Sequence, residues 1–291
     1  MNGAPDTQAS DGDPGPAGQG WSPDEEWCRR PPGRSAQAWS GHAPARDDQP
    51  EPDLVPYRPV SLQGLRRLLV LAPHPDDETF GCGGLIARAF DAGVQVRVVV
   101  VSDGGLGGDA AQRRAECRAA LHALGPGDDA VEFWGAPDRA VSRTPGLPAR
   151  LQSLLQTFPA DWLMAPSPWE VHLDHRAVCA LAIEAAATPQ APLLGFYEVG
   201  QPLLPNRLLD VSAVAARKHA AMAAYASQLV QQRYDAQLQG LSCYRGYTLG
   251  PQCSHAEAFW FPGRPDQHDA EAMRRQLETQ LRRRWPAGVP G

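Results

Sequence analysis

His74, Asp76, Asp77 and Glu78 crowd together directly after the apolar run Leu68-Leu-Val-Leu-Ala72, between and after Pro73 and Pro75. An imidazole and several carboxylates this close are costly to keep charged unless a cation sits among them. A metal ion meets that need. The plainer alternative, a helix cap, makes use of only one of the four polar residues. A second polar group, Trp169-Glu-Val-His-Leu-Asp-His175, opens an Ala-rich segment. His172 and His175 are three apart, so at a helix start they occupy neighbouring positions on one face. Two imidazoles and a carboxylate around zinc, with a position open to water, form a common catalytic arrangement. His74, Asp77 and His175 are the expected ligands. Asp76 and His172 are then left beside the ion, and Asp174 can hold one imidazole in its tautomer. Zinc lowers the pKa of a water from 15.7 towards about 7. Asp76 can take that proton, while a protonated His172 can stabilise an oxyanion and serve a leaving amine. This is hydrolysis of an amide or ester. On spacing alone, Asp76 and Asp77 are interchangeable as base and ligand.

The two groups meet only if the surrounding elements bring them together. Arg67–Ala72 reads as a buried strand and the residues from Leu85 to Asp91 as a helix. Val94-Gln-Val-Arg-Val-Val-Val-Val101 is a β-branched strand ending at Ser102-Asp-Gly-Gly105. Residues 109–124 read as a helix stopped by Gly125-Pro126. Further strands are expected at 131–134, 161–165 and 193–199, with helices at 147–158, 176–187 and 211–229. Strands separated by helical stretches imply crossover units, and hence an α/β fold with a mainly parallel sheet and helices on both faces. Both polar groups follow strands, so a parallel sheet delivers them to the same edge.

Composition sets the outer limits. The 291 residues, 43% hydrophobic, are enough for one sizeable core or at most two domains. A net charge of −6 and no basic stripe near the polar groups argue against nucleic acid as the main partner. Six scattered cysteines with no C-x-x-C pair speak against a disulfide framework or a Cys-ligated zinc, although Cys243 and Cys253 could pair in an exported protein. No apolar run reaches membrane-spanning length and no signal pattern opens the chain, so the expected location is the cytoplasm. Residues 1–55, rich in Gly, Pro, Asp and Ser and carrying Trp21, Trp27 and Trp39, read as a disordered extension. Residues 56–268 form the expected catalytic domain, and 269–291 a basic helical tail. Oligomeric state is not legible.

Two other chemistries fit these residues less well. Gly81-x-Gly-Gly84 after a strand invites a dinucleotide reading, but the spacing is not G-x-G-x-x-G, and a pyrophosphate would face Asp76, Asp77 and Glu78. Close helix–sheet packing accounts better for those glycines. A non-haem Fe(II) oxygenase also uses two imidazoles and a carboxylate, but leaves Asp76 without a task.

His74-Pro-Asp-Asp-Glu78 after one strand and His172-x-Asp-His175 after a later one resemble the PIG-L/LmbE-like zinc-dependent N-deacetylases. The likeness extends over about residues 66–260, with further matches at Ser102-Asp-Gly104, Arg113-x-x-Glu116, Trp134-Gly-Ala-Pro-Asp138, Tyr225-x-Ser-Gln228 and Glu257-Ala-Phe259. It implies a Rossmann-like three-layer sandwich and removal of acetyl from an N-acetylated amino sugar or sugar conjugate. It implies His74, Asp77 and His175 as ligands of Zn2+ (Fe2+ being the alternative ion), Asp76 as general base, and His172 as the group assisting the transition state. By the same resemblance Arg113 and Asp138 hold sugar hydroxyls; otherwise they are a solvated helix face and a turn cap. Leu173 stands where the family often has Pro. The alternatives within the fold are an amidase acting on a sugar–thiol conjugate and a saccharide-binding member without turnover.

Overall fold

The computed structural model describes residues 58–262 except Pro189. The expectations for residues 1–55, with their three tryptophans, and for the tail at 269–291 lie outside the described residues.

Eight strands form one sheet: β1 (Arg58–Pro59), β2 (Arg67–Ala72), β3 (Gln95–Ser102), β4 (Val131–Ala136), β5 (Trp162–Pro166), β6 (Leu193–Tyr197), β7 (Arg207–Asp210) and β8 (Ala256–Trp260). The helices among the described residues are α1 (Asp77–Asp91), α2 (Ala110–Leu124), α3 (Leu147–Thr157), α4 (Leu173–Ala185), α5 (Ala215–Ala223), α6 (Ala226–Leu229) and α7 (Tyr234–Gly246). The strand order is β1-β7-β8-β6-β5-β2-β3-β4, parallel except where β8 runs against β6 and β7.

The all-apolar strand β2 lies at the centre because both its faces are covered, as a parallel sheet between helical layers requires. Leu68, Val70 and Ala72 enter one core layer with Ile86 of α1 and Leu121 of α2. Leu69 and Leu71, pointing the other way, pack with Leu151 of α3 and Val178 of α4. The chain runs outward from β2 through β3 to β4, then returns to the opposite side of β2 for β5 and β6. Crossover helices therefore leave β2 and β5 on opposite faces. The carboxyl ends of these two neighbours are the topological switch point, where such sheets form a crevice.

The glycines of α1 have the packing role expected of them. A Cβ on Gly81 would collide with the Tyr197 ring, whose hydroxyl donates to Leu71 O (2.8 Å). One on Gly84 would meet Val211 at 2.5 Å and Glu257 Oε1 at 2.8 Å. Glu257 accepts from the amides of Gly84 (2.6 Å) and Leu85 (2.8 Å), and Lys218 Nζ donates to Glu257 (2.7 Å) and to Phe80 O (3.0 Å).

Several features depart from expectation, among them strand β1 and the start of α1 at Asp77 rather than Leu85. The helix expected over 211–229 is broken into a short 3-10 turn, α5 and α6. The break falls at Tyr225 (φ −84°, ψ 52°), whose buried ring packs edge-on to Phe80 and whose hydroxyl donates to Glu78. The strands β7 and β8 and helix α7 have no counterpart among the expected elements. Cys253 is a free buried thiol, so the pairing of Cys243 with Cys253 is not made.

Candidate active site

The Pro73–Pro75 turn ends β2 and hands the chain to α1, whose first turn holds Asp77 and Glu78 at the positive end of the helix dipole. Asp76 caps that helix with φ at +155°, a conformation a non-glycine residue adopts only when its surroundings impose it. Here they do: its amide donates to Glu78 Oε2 (3.2 Å), and Arg113 Nη2 donates to its Oδ2 (2.9 Å). On the other side of the crevice, His172 caps α4, its Nδ1 accepting from Asp174 N (3.2 Å). Neutral His172 therefore carries its proton on Nε2.

The two groups meet as the parallel sheet demands. Asp77 Oδ2 lies 3.1 Å from His74 Nδ1 and 3.2 Å from His175 Nε2. His74 Nε2 is 3.3 Å from Asp174 Oδ2 and 3.5 Å from Asp138 Oδ1. His175 Nδ1 is 3.4 Å from Glu170 Oε2. The His172 ring stands edge-on to His74, with centroids 4.6 Å apart. Two sets of donor atoms fall within 4.8 Å of one another, His74–His172–His175 and His74–Asp138–Asp174, while Asp77 lies between the imidazoles of His74 and His175. All of these residues except Asp174 line one cavity of about 360 Å³, with Asp76 and Arg113 in its wall.

Electrostatics favour a cation here. Burial alone would lower His74 and His175, yet contacts with carboxylates raise both: Asp138, Asp174 and Asp77 raise His74 well above 6.5, and Asp77 and Glu170 raise His175 to about 9. Burial would raise Asp77, but the two imidazoles hold it far below the carboxylate range. Protons thus gather where a divalent ion would supply the same charge, and the donors are those zinc or iron accepts. Asp76 is pushed up to about 8 by burial first and the Asp77 charge second, against the pull of Arg113. Asp138 is lowered to about 2, chiefly by its contact with His74. His172 is lowered by burial and by the neighbouring imidazoles.

The structure thus brings His74, Asp76, Asp77, His172, Asp174 and His175 together. Asp138 joins them: its Oδ2 accepts from Leu106 N (3.1 Å) and its Oδ1 faces His74. Arg113 is not on a solvated face. It is 3% exposed and donates to Asp76, to Gly104 O (2.8 Å) and to Pro75 O (3.2 Å). The remaining motif matches form the layer beneath. Glu116 accepts from Ser227 N (2.9 Å) and Oγ (2.6 Å), Gln228 Nε2 donates to Gly107 O (3.2 Å), and Tyr225 and Thr79 bond Glu78. The residue sequence reasoning missed is Glu170. A lone acid two positions before His172 was its only signal.

Fold and site together define an α/β domain with a His/Asp cluster of metal-ligating type at its topological switch point. The family model for PIG-L, described as GlcNAc-PI de-N-acetylase, matches residues 69–186, so this stretch is a PIG-L family domain. The diacetylchitobiose deacetylase of Thermococcus kodakarensis is 27% identical over 242 residues, covering 68% of this chain and 84% of that protein. Among solved structures, the conserved protein TT1542 from Thermus thermophilus aligns with a TM-score of 0.60 at 31% identity, covering 67% of this chain and 94% of that one. N,N'-diacetylchitobiose deacetylase from Pyrococcus horikoshii, complexed with its inhibitor MPG, aligns with a TM-score of 0.64 over 72% of this chain and 88% of that one. At 24% identity that second likeness is one of fold. Among the described residues, no helix is long and apolar enough to cross a membrane.

Proposed function

We propose that this chain is a metal-dependent hydrolase that removes an acetyl or other small acyl group from an N-acetylated amino sugar or sugar conjugate. One arrangement supports the reading most. The two imidazoles that meet at Asp77 turn their far nitrogens to separate carboxylates, and Asp76, gripped by Arg113, lines the same cavity. Binding a saccharide without turnover would need neither Asp76 nor His172 in those places. Kinship with a diacetylchitobiose deacetylase points to an acetylated amino sugar.

His74, Asp77 and His175 would hold the ion, with Zn2+ or Fe2+ suited to these donors. Such an ion supplies Lewis-acid chemistry, polarising an amide carbonyl and making water acidic enough to attack near neutral pH. Asp76 takes the proton of the attacking water; Arg113 on its Oδ2 leaves Oδ1 for that task. His172 directs its Nε2–H at the oxyanion, because Asp174 N occupies its Nδ1. Burial and the neighbouring imidazoles lower His172, which favours its neutral form, and Asp76, having gained a proton, is placed to return it to the leaving amine. Asp174 and Glu170 hold the imidazoles of His74 and His175 in their tautomers. Of the two residues expected to hold sugar hydroxyls, Asp138 keeps that role. The two terminal nitrogens of Arg113 are already engaged, so it acts through Asp76.

The purified chain reconstituted with Zn2+ is expected to release acetate from N-acetylglucosamine, N,N'-diacetylchitobiose or an N-acetylglucosaminide. Chelation should stop the release and Zn2+ restore it. No release across that panel, or release indifferent to chelation, would overturn the reading.

A further inference from the structure

Glu170 is 3% exposed, and its carboxylate does two things at once. Its Oε1 accepts from Val199 N (2.9 Å) and Gln201 N (3.4 Å), and its Oε2 from Gly200 N (3.1 Å), so three successive backbone amides converge on one side chain. Val199 and Gly200 form part of the cavity wall. The same Oε2 is 3.4 Å from Nδ1 of His175, within ion-pair reach though outside hydrogen-bond geometry, and that buried Nδ1 has no hydrogen-bond partner among the described residues.

We infer that Glu170 is a positioning residue that couples the cavity wall to the metal ligand His175, holding the 199–201 amides with one carboxylate while orienting the imidazole from behind. The inference rests on the metal-site reading above. A carboxylate facing Nδ1 keeps the proton there and leaves the Nε2 lone pair directed at Asp77 and the ion. An amide in its place turns an N–H donor towards Nδ1 or Gly200 N and can satisfy only part of the set. The segment is also held from its far end, independently of any histidine. Glu198 accepts from Leu203 N (2.8 Å) and forms a two-pronged pair with Arg245 (2.9 and 2.6 Å). Glu198 therefore serves as a control that loosens the same wall without touching His175.

The test compares Zn2+ affinity, by competition with a chromophoric chelator, with KM for the N-acetylated sugar in the full chain and in Glu170→Gln, Glu170→Ala and Glu198→Gln. Glu170→Gln is expected to weaken Zn2+ binding by about 10- to 100-fold, the usual worth of a group that orients a metal ligand, and to raise KM. Glu198→Gln should raise KM and leave Zn2+ affinity within about twofold of the parent, well short of that 10- to 100-fold loss. Glu170→Ala tests the same loss without a new N–H; should it fail to fold, Glu170→Gln alone decides. Parental Zn2+ affinity in Glu170→Gln, or equal loss in Glu198→Gln, would overturn the coupling. Absence of Zn2+ binding in the parent chain would instead overturn the metal-site reading itself.

Discussion

Asp76 sits between opposing influences that differ in kind. Burial and the Asp77 charge push its carboxyl up, and Arg113 is the permanent cation that draws it down. An ion held by Asp77 offsets the second influence but not the first, so Arg113 stays important in the loaded protein. Arg113→Ala should raise the Asp76 pKa. A general base must be deprotonated, so the acid limb of the kcat/KM–pH profile should move to higher pH. The rate near pH 7 should then fall by roughly tenfold for each pH unit the limb moves. A profile whose acid limb stays in place would show that Arg113 does not act through Asp76. Arg113→Lys keeps the charge but loses the fork that also reaches Gly104 and Pro75, so it should fall between the two.

At the scale of elements, α1 starts with the proposed base Asp76 at its cap and the proposed ligand Asp77 in its first turn, and a buried ion pair braces it from outside. Phe80 O and Gly84 N, partners in a regular helix, are both contacted by the buried Lys218–Glu257 pair. Lys218 is the single lysine of the chain; every other cationic side chain is Arg. The aliphatic stem of Lys218 lies against Gly83, and its ammonium reaches past to Phe80 O and Glu257. Gly84→Ala sets two effects against each other. Better helix propensity favours it by about 1 kcal/mol, while overpacking against Val211 and Glu257 costs about 1–3 kcal/mol. The clash should win and thermal unfolding should show a lower Tm; an unchanged or higher Tm would mean the neighbours give way freely. These elements were unequally legible. The strands β2 and β3 and helix α2 declared themselves through apolar runs, β-branching and a Gly-Pro stop, as local signals do. The antiparallel β8 and the break at Tyr225 arise from long-range contacts with β6, β7 and Glu78, which no local period records. The ligand-type residues were legible because two dense polar motifs followed strands. Arg113 and Glu170 were obscure in role because a lone charge on a helix or loop looks the same whether it faces water or a buried carboxylate.

For the whole molecule, the strand order does the essential work. Returning from β4 to the far side of β2 brings residues about a hundred positions apart to one crevice. Stability also has a global dependence on pH that is separable from the site. His219 lies ring to ring with His255 and is held at about 4 by burial, then by the charges of His255 and Lys218. The folded value lies below the ordinary 6.5, so on acidification the unfolded chain takes the proton first. Stability is therefore full above about 6.5 and is lost as pH falls towards 4. His219→Gln should narrow the difference in Tm between pH 7 and pH 4.5. An unchanged difference would place the acid sensitivity elsewhere.

The proposed mechanism separates two roles, an ion held by His74, Asp77 and His175 and a proton moved by Asp76. Metal content by elemental analysis, measured alongside acetate release for the parent, Asp76→Ala and His175→Ala, tests it most directly. The parent and Asp76→Ala should each hold one divalent ion, with Asp76→Ala slower by roughly 10²- to 10⁴-fold, and His175→Ala should lose the ion. Substantial turnover in Asp76→Ala, or a full complement of metal in His175→Ala, would contradict it.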